Sequence, residues 1–552
     1  MVILGIADGP DSGAALVVDD RVVGTEEQER HDQRPRSRAF PELAVDGVLR
    51  QAGLRPRDVN LIGVAGRFTP PLIVRRNRRF SGLTDSSPFS AAANLAVFWS
   101  GALRQTGFGA LEAERAAEWL ELQFRNRGFA PQRLVTVDIH KALAEAVYRC
   151  QPDDEVLVLT LHPQGDGAAC AVHVGRAGQL DRVFEQRGFG ALHLHLGRAY
   201  SALGLELLID DDRLFGLAGR GAPRDDLLDL LHSRIAVSDG RLTTGGRFGR
   251  RGGARAVYSA LAAASPPDAA ASLVRHLAEV VRDLVRFYVR AHRCRVVGLG
   301  GILLENPRII AAVADLDEVE RVTCHPTPGF ASLPVGAAVG LAGTRPQALP
   351  VPGLGAEVDF AACRGAVRAA GRVGEAMSDP ALALGDALAV GPVGRFAGRA
   401  GFGRAGLGTR AVLVRADRPE WMAAARARLG RAAEEEPAVV ALPGFHPPPS
   451  SARLGGCVEI AVAAPKVDPT FAAAFPAVVA PDGRAVWQVV SPGGDPDLHG
   501  AMLRLAARTG CKAIAAWPLS GGREPVVSRP ADALRAWSGP LVLGDLLVGE
   551  RT

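Results

Sequence analysis

Residues 2–6 and 13–18 are apolar runs separated by the polar turn Asp8-Gly9-Pro10-Asp11-Ser12-Gly13, which predicts two buried strands joined tightly. Val22-Val23 resumes the pattern after Asp19-Asp20, so the chain opens as a three-stranded meander. A helix is predicted over 41–53, with Pro41 in its first turn and Gly53 at its end. Residues 134–137 and 156–160 read as short strands around an Ala-rich helix. The scheme then runs a second time: a long helical stretch over 267–292, a strand over 295–299, and the turn Gly300-Gly301. Around 343–360 the chain becomes rich in Pro and Gly, which marks a domain boundary. Domains are therefore expected over 1–345 and 360–552. The second holds a Gly/Arg-rich segment at 391–408, a helix at 419–433 and several short strands.

Strands, a glycine turn and crossing helices occurring twice suggest an α/β fold, with a duplicated actin/sugar-kinase-like N-terminal domain and a smaller α+β C-terminal domain. At 552 residues, 47% hydrophobic and 22% charged, the composition is that of an ordered globular protein. The net charge of +5 rests almost wholly on arginine in a chain dominated by Ala, Gly and Arg, so basicity alone is a poor sign of nucleic-acid binding. The densest basic run, Arg75-Arg76-Asn77-Arg78-Arg79, has no interleaved aromatics and reads as a solvated loop; nucleic acid is not the expected partner. Seven cysteines stand singly without a C-x-x-C pair, which argues against a zinc ribbon or a disulfide framework. The first residues are too short and uncharged for a signal peptide and no apolar run reaches membrane-spanning length, so the cytoplasm is the expected compartment. Gly401-Phe402-Gly403-Arg404-Ala405-Gly406 matches G-x-G-x-x-G, but no apolar strand precedes it and a dinucleotide site is not expected.

Val137-Asp138-Ile139-His140-Lys141-Ala142-Leu143-Ala144 resembles V-D-H-H-x-A-H-A, the metal-binding helix of the O-carbamoyltransferases that decorate antibiotics and nodulation factors. The opening Gly5-Ile6-Ala7 to Asp11-Ser12-Gly13-Ala14-Ala15-Leu16 is similar to that family's G-I-S…H-D-S-A-A-A-L, and Glu29-Arg30 with Phe40-Pro41 to its E-E-R-F…F-P. The stretch from Thr160 to Gly167 resembles T-L-D-G-x-G-D-G, and that from Asp211 to Gly221 resembles E-G-K-V-M-G-L-A-P-Y-G, with Arg213 for the Lys. Gly300-Gly301-Ile302 stands in for G-G-V, and the run from His325 to Ala331 for Q-P-A-A-G-D-A. Val393 to Leu413 is similar to the G-R-M-E-F-G-P-R-A-L-G-N-R-S-I-L signature of the domain that makes carbamoyl adenylate. The resemblance covers nearly the whole chain. It implies two coupled steps: the smaller domain makes carbamoyl adenylate from ATP and carbamoyl phosphate, and the larger, metal-holding domain moves the carbamoyl group to a hydroxyl.

The positions that the resemblance assigns to the metal are Ile139, Leu143, His162 and Phe330, of which three have no donor atom, so no metal is expected. In the second domain the signature's Glu corresponds to Gly401 and its first Arg to Ala405, while Arg410 persists; Glu434 and Glu435 fall where a basic clamp belongs. Placing carboxylates beside phosphates costs Coulomb energy. His140, His162 and Arg410 are the candidates for any residual catalysis. Gly165, Asp166, Gly167, Arg213, Gly300 and Gly301 are candidates for nucleotide contact, with ATP the one open cofactor. The chain is thus read as a catalytically degenerate paralogue in specialised metabolism. Its expected partner is an active homologous carbamoyltransferase or a pathway enzyme, or else a second copy of itself. The alternative is a divergent, metal-independent carbamoyl or acyl transferase acting on a small-molecule hydroxyl or amine.

Overall fold

A computed structural model describes residues 1–76, 107–187, 191–244, 254–343, 349, 353–401 and 403–550. Asn77, Arg78 and Arg79 of the basic run, Phe402 of the glycine pattern and residues 344–348 and 350–352 of the Pro/Gly-rich boundary lie outside them. The chain divides into two compact units, Met1–Gln28 with Arg36–Ala348, and Glu29–Pro35 with Leu349–Thr552.

The first unit contains β1 (Val2–Ala7), β2 (Gly13–Val18), β3 (Arg21–Glu27), β4 (Leu61–Ala65) and β5 (Arg133–Val137), which form one sheet in the order β3-β2-β1-β4-β5. Strands β1 and β2 are buried almost end to end, as their unbroken apolar runs require of strands covered on both faces. A second sheet holds β6 (Val156–Gly165), β7 (Ala168–Arg176) and β8 (Gln179–Arg187). After the short hairpin of β9 (Ala236–Ser238) and β10 (Arg241–Thr243), it is completed by β11 (Val296–Gly300) and β12 (Arg321–Cys324). Its order, β12-β11-β6-β7-β8, repeats the first when read from the other edge. In each sheet three antiparallel strands come first and two parallel strands follow on the other side of the opening strand. This repeated topology is the duplicated actin/sugar-kinase architecture.

The helix that follows each sheet lies on the other one. Ile139–Arg149, after β5, packs on β6 and β11, while Leu333–Ala342, after β12, packs on β1 and β4, and the two helices pack on each other. Small residues make that approach feasible: a Cβ at Gly5 would come within 1.9 Å of the Pro334 carbonyl oxygen, and one at Gly336 within 1.8 Å of that of Ala142. Ile139–Arg149 is capped by Asp138, whose carboxylate accepts from the Lys141 amide at 2.9 Å. The 27-residue helix Pro266–His292 starts behind a Ser265 cap with proline at its head and ends at left-handed Arg293.

The second unit is built on an eight-stranded mixed sheet in which antiparallel pairings predominate, the smaller α+β domain that the sequence suggests. It contains β13 (Gly374–Ala376), β14 (Val393–Phe396), β15 (Arg410–Arg415), β16 (Ala438–Ala441), β17 (Val486–Val489), β18 (Ala513–Pro518), β19 (Leu541–Leu543) and β20 (Leu546–Val548). The order is β13-β20-β19-β14-β15-β18-β16-β17. Residues 29–35 join this unit although they precede most of the first in sequence: Arg30 donates to the carbonyls of Gly401 at 2.9 Å and Gly403 at 2.6 Å. Among the described residues no helix is long and apolar enough to cross a membrane.

Candidate functional site

The exchange of helices brings residues 139, 143 and 330 together. Ile139 and Leu143 lie one turn apart on the helix, and Phe330 sits just before Leu333–Ala342. All three share one buried apolar cluster with Ala7, Ala65, Ile302, Leu333 and Ala337. His162, on β6, meets the Phe330 ring edge-on with centres 4.8 Å apart. The four positions therefore do converge, and their meeting place is filled by hydrocarbon and aromatic side chains. Among the described residues there is no group of three His, Cys, Asp or Glu placed to hold an ion.

His140 points away from that cluster, as its place one residue along the helix dictates. It is fully buried, with Nε2 at 3.1 Å from the Ala168 carbonyl and Nδ1 at 2.8 Å from the Thr160 hydroxyl. Burial lowers its pKa against the opposing pull of Asp138 and the Ala168 hydrogen bond, so the ring is neutral near pH 7. A neutral ring carries its proton on Nε2 to satisfy a carbonyl, which leaves Nδ1 an acceptor that shares the one Thr160 hydroxyl proton with the Ala171 carbonyl, 3.1 Å from that hydroxyl. Both nitrogens are thereby engaged within the protein. Its ring centre stands 6.3 Å from that of His162, so the two histidines are neighbours without sharing a hydrogen bond.

The candidate nucleotide contacts are also held by internal partners. The Asp166 carboxylate accepts from the amides of Arg67, Phe68, Thr69 and Ile139 at 2.9–3.1 Å, pinning the loop after β4 to the head of the helix. Burial and the neighbouring Asp138 push this carboxyl above the usual range, and those amides oppose the shift. Gly301 adopts φ +117°, donates to the Pro328 carbonyl at 2.6 Å, and would place a Cβ 1.9 Å from the Leu161 oxygen, so only glycine fits. Gly300 closes β11 beside Leu143 and Val147. Gly165 sits against the His140 ring, and Gly167 at φ +90° has open space on its Cβ side. Arg213 lies 3.6 Å from Asp210 on its own helix.

A buried ion cluster of the first unit was not among the sequence candidates. Arg36 is buried and joins Asp11 of the β1–β2 turn to Asp211 at 3.0 Å and Glu305 at 2.8 Å, and its Nε donates to the Leu208 carbonyl at 3.0 Å. Tyr200 donates to the same Asp211 at 2.7 Å. Burial works against the guanidinium charge, but Asp11, Glu305 and Asp211 outweigh it and hold Arg36 charged well above the usual range. Arg75 is likewise no solvated loop residue. It is 1% exposed, paired with fully buried Asp8 at 3.1 Å and donating to the Gly66 carbonyl at 2.8 Å. The only available signal was the nearness of polar Asp8-Gly9-Pro10-Asp11 to strands of pure hydrocarbon, because such carboxylates need buried cations.

In the second unit, Arg410 is buried within β15. Its guanidinium donates to the carbonyls of Ala397 at 2.7 Å and Gly398 at 3.2 Å and lies 4.0 Å from the Phe396 ring centre. Arg395 pairs with Asp495, and Arg399 donates to the Leu354 and Gly355 carbonyls. These arginines hold the Gly/Arg-rich loop in shape. Glu435 accepts from Arg431 at 2.7 Å, and Arg431 also donates to Ser520 at 2.8 Å, so the acidic stretch retains one cation.

No known protein-family model matches the chain. An uncharacterized protein of Methanocaldococcus jannaschii is 31% identical over 84 residues, 15% of this chain and 15% of that protein; the chain thus matches a small part of the curated relative's length. Among solved structures, component A of the (R)-2-hydroxyglutaryl-CoA dehydratase of Acidaminococcus fermentans is 13% identical, with a TM-score of 0.32 over 62% of this chain and 97% of that one. The activator of the 2-hydroxyisocaproyl-CoA dehydratase from Clostridium difficile, solved with bound ADPNP, is 14% identical at a TM-score of 0.32, covering 62% and 94%. YeaZ from Pseudomonas aeruginosa is 16% identical at 0.18, covering 34% and 68%.

Proposed function

We propose that this chain is a catalytically degenerate member of the O-carbamoyltransferase family that serves as the partner subunit of an active carbamoyltransferase, or of another enzyme, in specialised metabolism. The observation that carries this reading is the packed cluster of Ile139, Leu143 and Phe330 with His162 against it. A site that must polarise a carbonyl needs lone pairs and an open position. Here the same place supplies apolar packing, which stabilises a scaffold and offers nothing to a reacting oxygen. The engagement of Arg410 and Arg395 by carbonyls and Asp495 extends the argument to the second unit, where adenylate formation would require free cations. ATP enters this reading as a ligand and not as a substrate.

Two outcomes are expected. Incubated with ATP and carbamoyl phosphate, the purified chain should release no pyrophosphate above a no-protein control; steady release at one or more turnovers per chain would restore the transferase alternative. Co-expressed with an intact carbamoyltransferase from the same pathway, it should elute as a complex burying at least about 1,000 Å². Failure to co-elute with pathway enzymes or with itself, by light scattering at micromolar concentration, would remove the partner reading.

A further inference from the structure

Four of the helices between β8 and β11 meet around one polar cluster: Ala191–Ala202, Asp225–His232, Ala254–Ala263 and Pro266–His292. Their contact holds an unusual set of polar groups. Tyr258 presents its hydroxyl 3.0 Å from Nδ1 of His195, which is 2% exposed. The Arg198 guanidinium lies 5.9 Å from the Tyr258 ring centre, and Arg234 stands beside the Tyr258 hydroxyl. Among the described residues, Nε2 of His195 and the Nε atoms of Arg198 and Arg234 are buried without a hydrogen-bond partner. The charges that act on Tyr258 are those of Arg234 and Arg198, and the one that acts on His195 is again Arg234. Among the carboxylates of these helices, Glu279 pairs with His232 at 3.0 Å and Arg275 at 2.5 Å, Asp226 with Arg224 at 2.6 Å and Asp283 with Arg286 at 3.1 Å.

Two guanidinium groups flank one phenol, neither paired with a carboxylate among the described residues; they repel each other and leave their buried Nε donors unsatisfied, a costly arrangement in a half-buried place. An anion removes both costs at once. Its charge should be more than one and its oxygens several, because two planar forks approach from different helices. With Tyr258 donating to Nδ1, neutral His195 carries its proton on Nε2 and fixes the phenol between the two arginines.

We propose that Arg198, Arg234 and Tyr258 form a binding site for a phosphate-class oxyanion, with His195 as the residue that positions the phenol. The site lies apart from the cluster around Phe330 and does not depend on the partner-subunit reading. Inorganic phosphate and the phosphates of ATP share the required chemistry, and the experiment separates them. The full chain is titrated at pH 7.5 with inorganic phosphate, with ATP, and with sodium chloride at matched ionic strength, by calorimetry and thermal melting. Phosphate should bind and raise Tm where chloride does not. Arg234→Gln and Arg198→Gln should each weaken binding about ten- to hundredfold, the scale of a lost charge-assisted hydrogen bond. Arg275→Gln, at the outward pair with Glu279, should bind as the unaltered chain does. Equal Tm of the variants in chloride shows that their fold is intact, and partly exposed Arg234 carries the test if Arg198→Gln melts early. Arg234-dependent binding of ATP alone assigns the oxyanion to a nucleotide. Binding of neither ligand, or binding unchanged in Arg234→Gln, overturns the site.

Discussion

Arg36→Ala should lower the stability of the first unit by about 3–5 kcal/mol, a large share of the roughly 5–15 kcal/mol that holds a domain folded. The expectation follows from what is left behind. Without the guanidinium, Asp11 and Asp211, both nearly inaccessible to water, and Glu305 beside them lose their shared counter-charge and repel one another. Arg36→Lys should recover only part of the loss, because a compact ammonium with three donors does not span, as the planar guanidinium does, three carboxylates and the Leu208 carbonyl. Urea denaturation followed by fluorescence, read on the transition of the first unit, gives the measurement. Arg36→Met combined with Asp11→Asn, Asp211→Asn and Glu305→Gln should regain most of the stability, since it removes the charges together. An unchanged midpoint for Arg36→Ala would mean that water already solvates the cluster.

Stability should also fall steeply on mild acidification. Burial, joined by the Arg234 cation, holds His195 at about 4, and burial holds His325 at about 4 against its hydrogen bond with Thr327. The same cause lowers His276 and His173 well below 6.5, and His140 less far. A histidine whose folded pKa lies below its unfolded value of 6.5 binds more protons when unfolded. Its contribution is therefore complete above pH 6.5 and is lost as pH falls toward 4. His195 and His325 each account for about 2 kcal/mol of loss by pH 5. Melting between pH 7.5 and 4.5 should show the decline beginning above the range where surface carboxylates titrate. His325→Asn or His195→Gln should flatten it, and a pH-independent Tm down to 5 would sink the idea.

Much of the first unit is visible in the sequence because its signals are local. The unbroken apolar runs before Asp8 and after Ser12 are buried strands, and the repeat of strands, glycine turn and helix is the duplicated topology. The long helix runs over Pro266–His292, within a residue of the span its periodicity implies, because a Ser cap, a first-turn proline and a steady apolar stripe agree. The roles of the arginines are not visible in this way. Arg36 meets Asp211 and Glu305 from 175 and 269 residues away, and Arg75 meets Asp8 across 67. An arginine in a polar stretch looks the same whether its carboxylate is brought by the fold or its charge is left in water. Arg410, read from the sequence as a catalytic candidate, hides its structural role for a related reason: it donates to main-chain carbonyls, which every residue possesses.

Residues 29–35 belong to the second unit, and that has a consequence for how the protein is made. Arg30 leaves the ribosome early, but the Gly401 carbonyl that receives it is 371 residues further on, and Ser528, which donates to the Arg30 carbonyl at 2.6 Å, comes later still. At a synthesis rate of about 5–20 residues per second the segment waits roughly 20–70 s for Gly401 and roughly 25–100 s for Ser528. During that interval β1, β2 and β3 can pair with one another while the short stretch between Gln28 and Arg36 still waits for its partners. The carboxyl-terminal half expressed by itself lacks the side chain that ties its glycine loop, so that half is finished only when residues 29–35 are supplied to it.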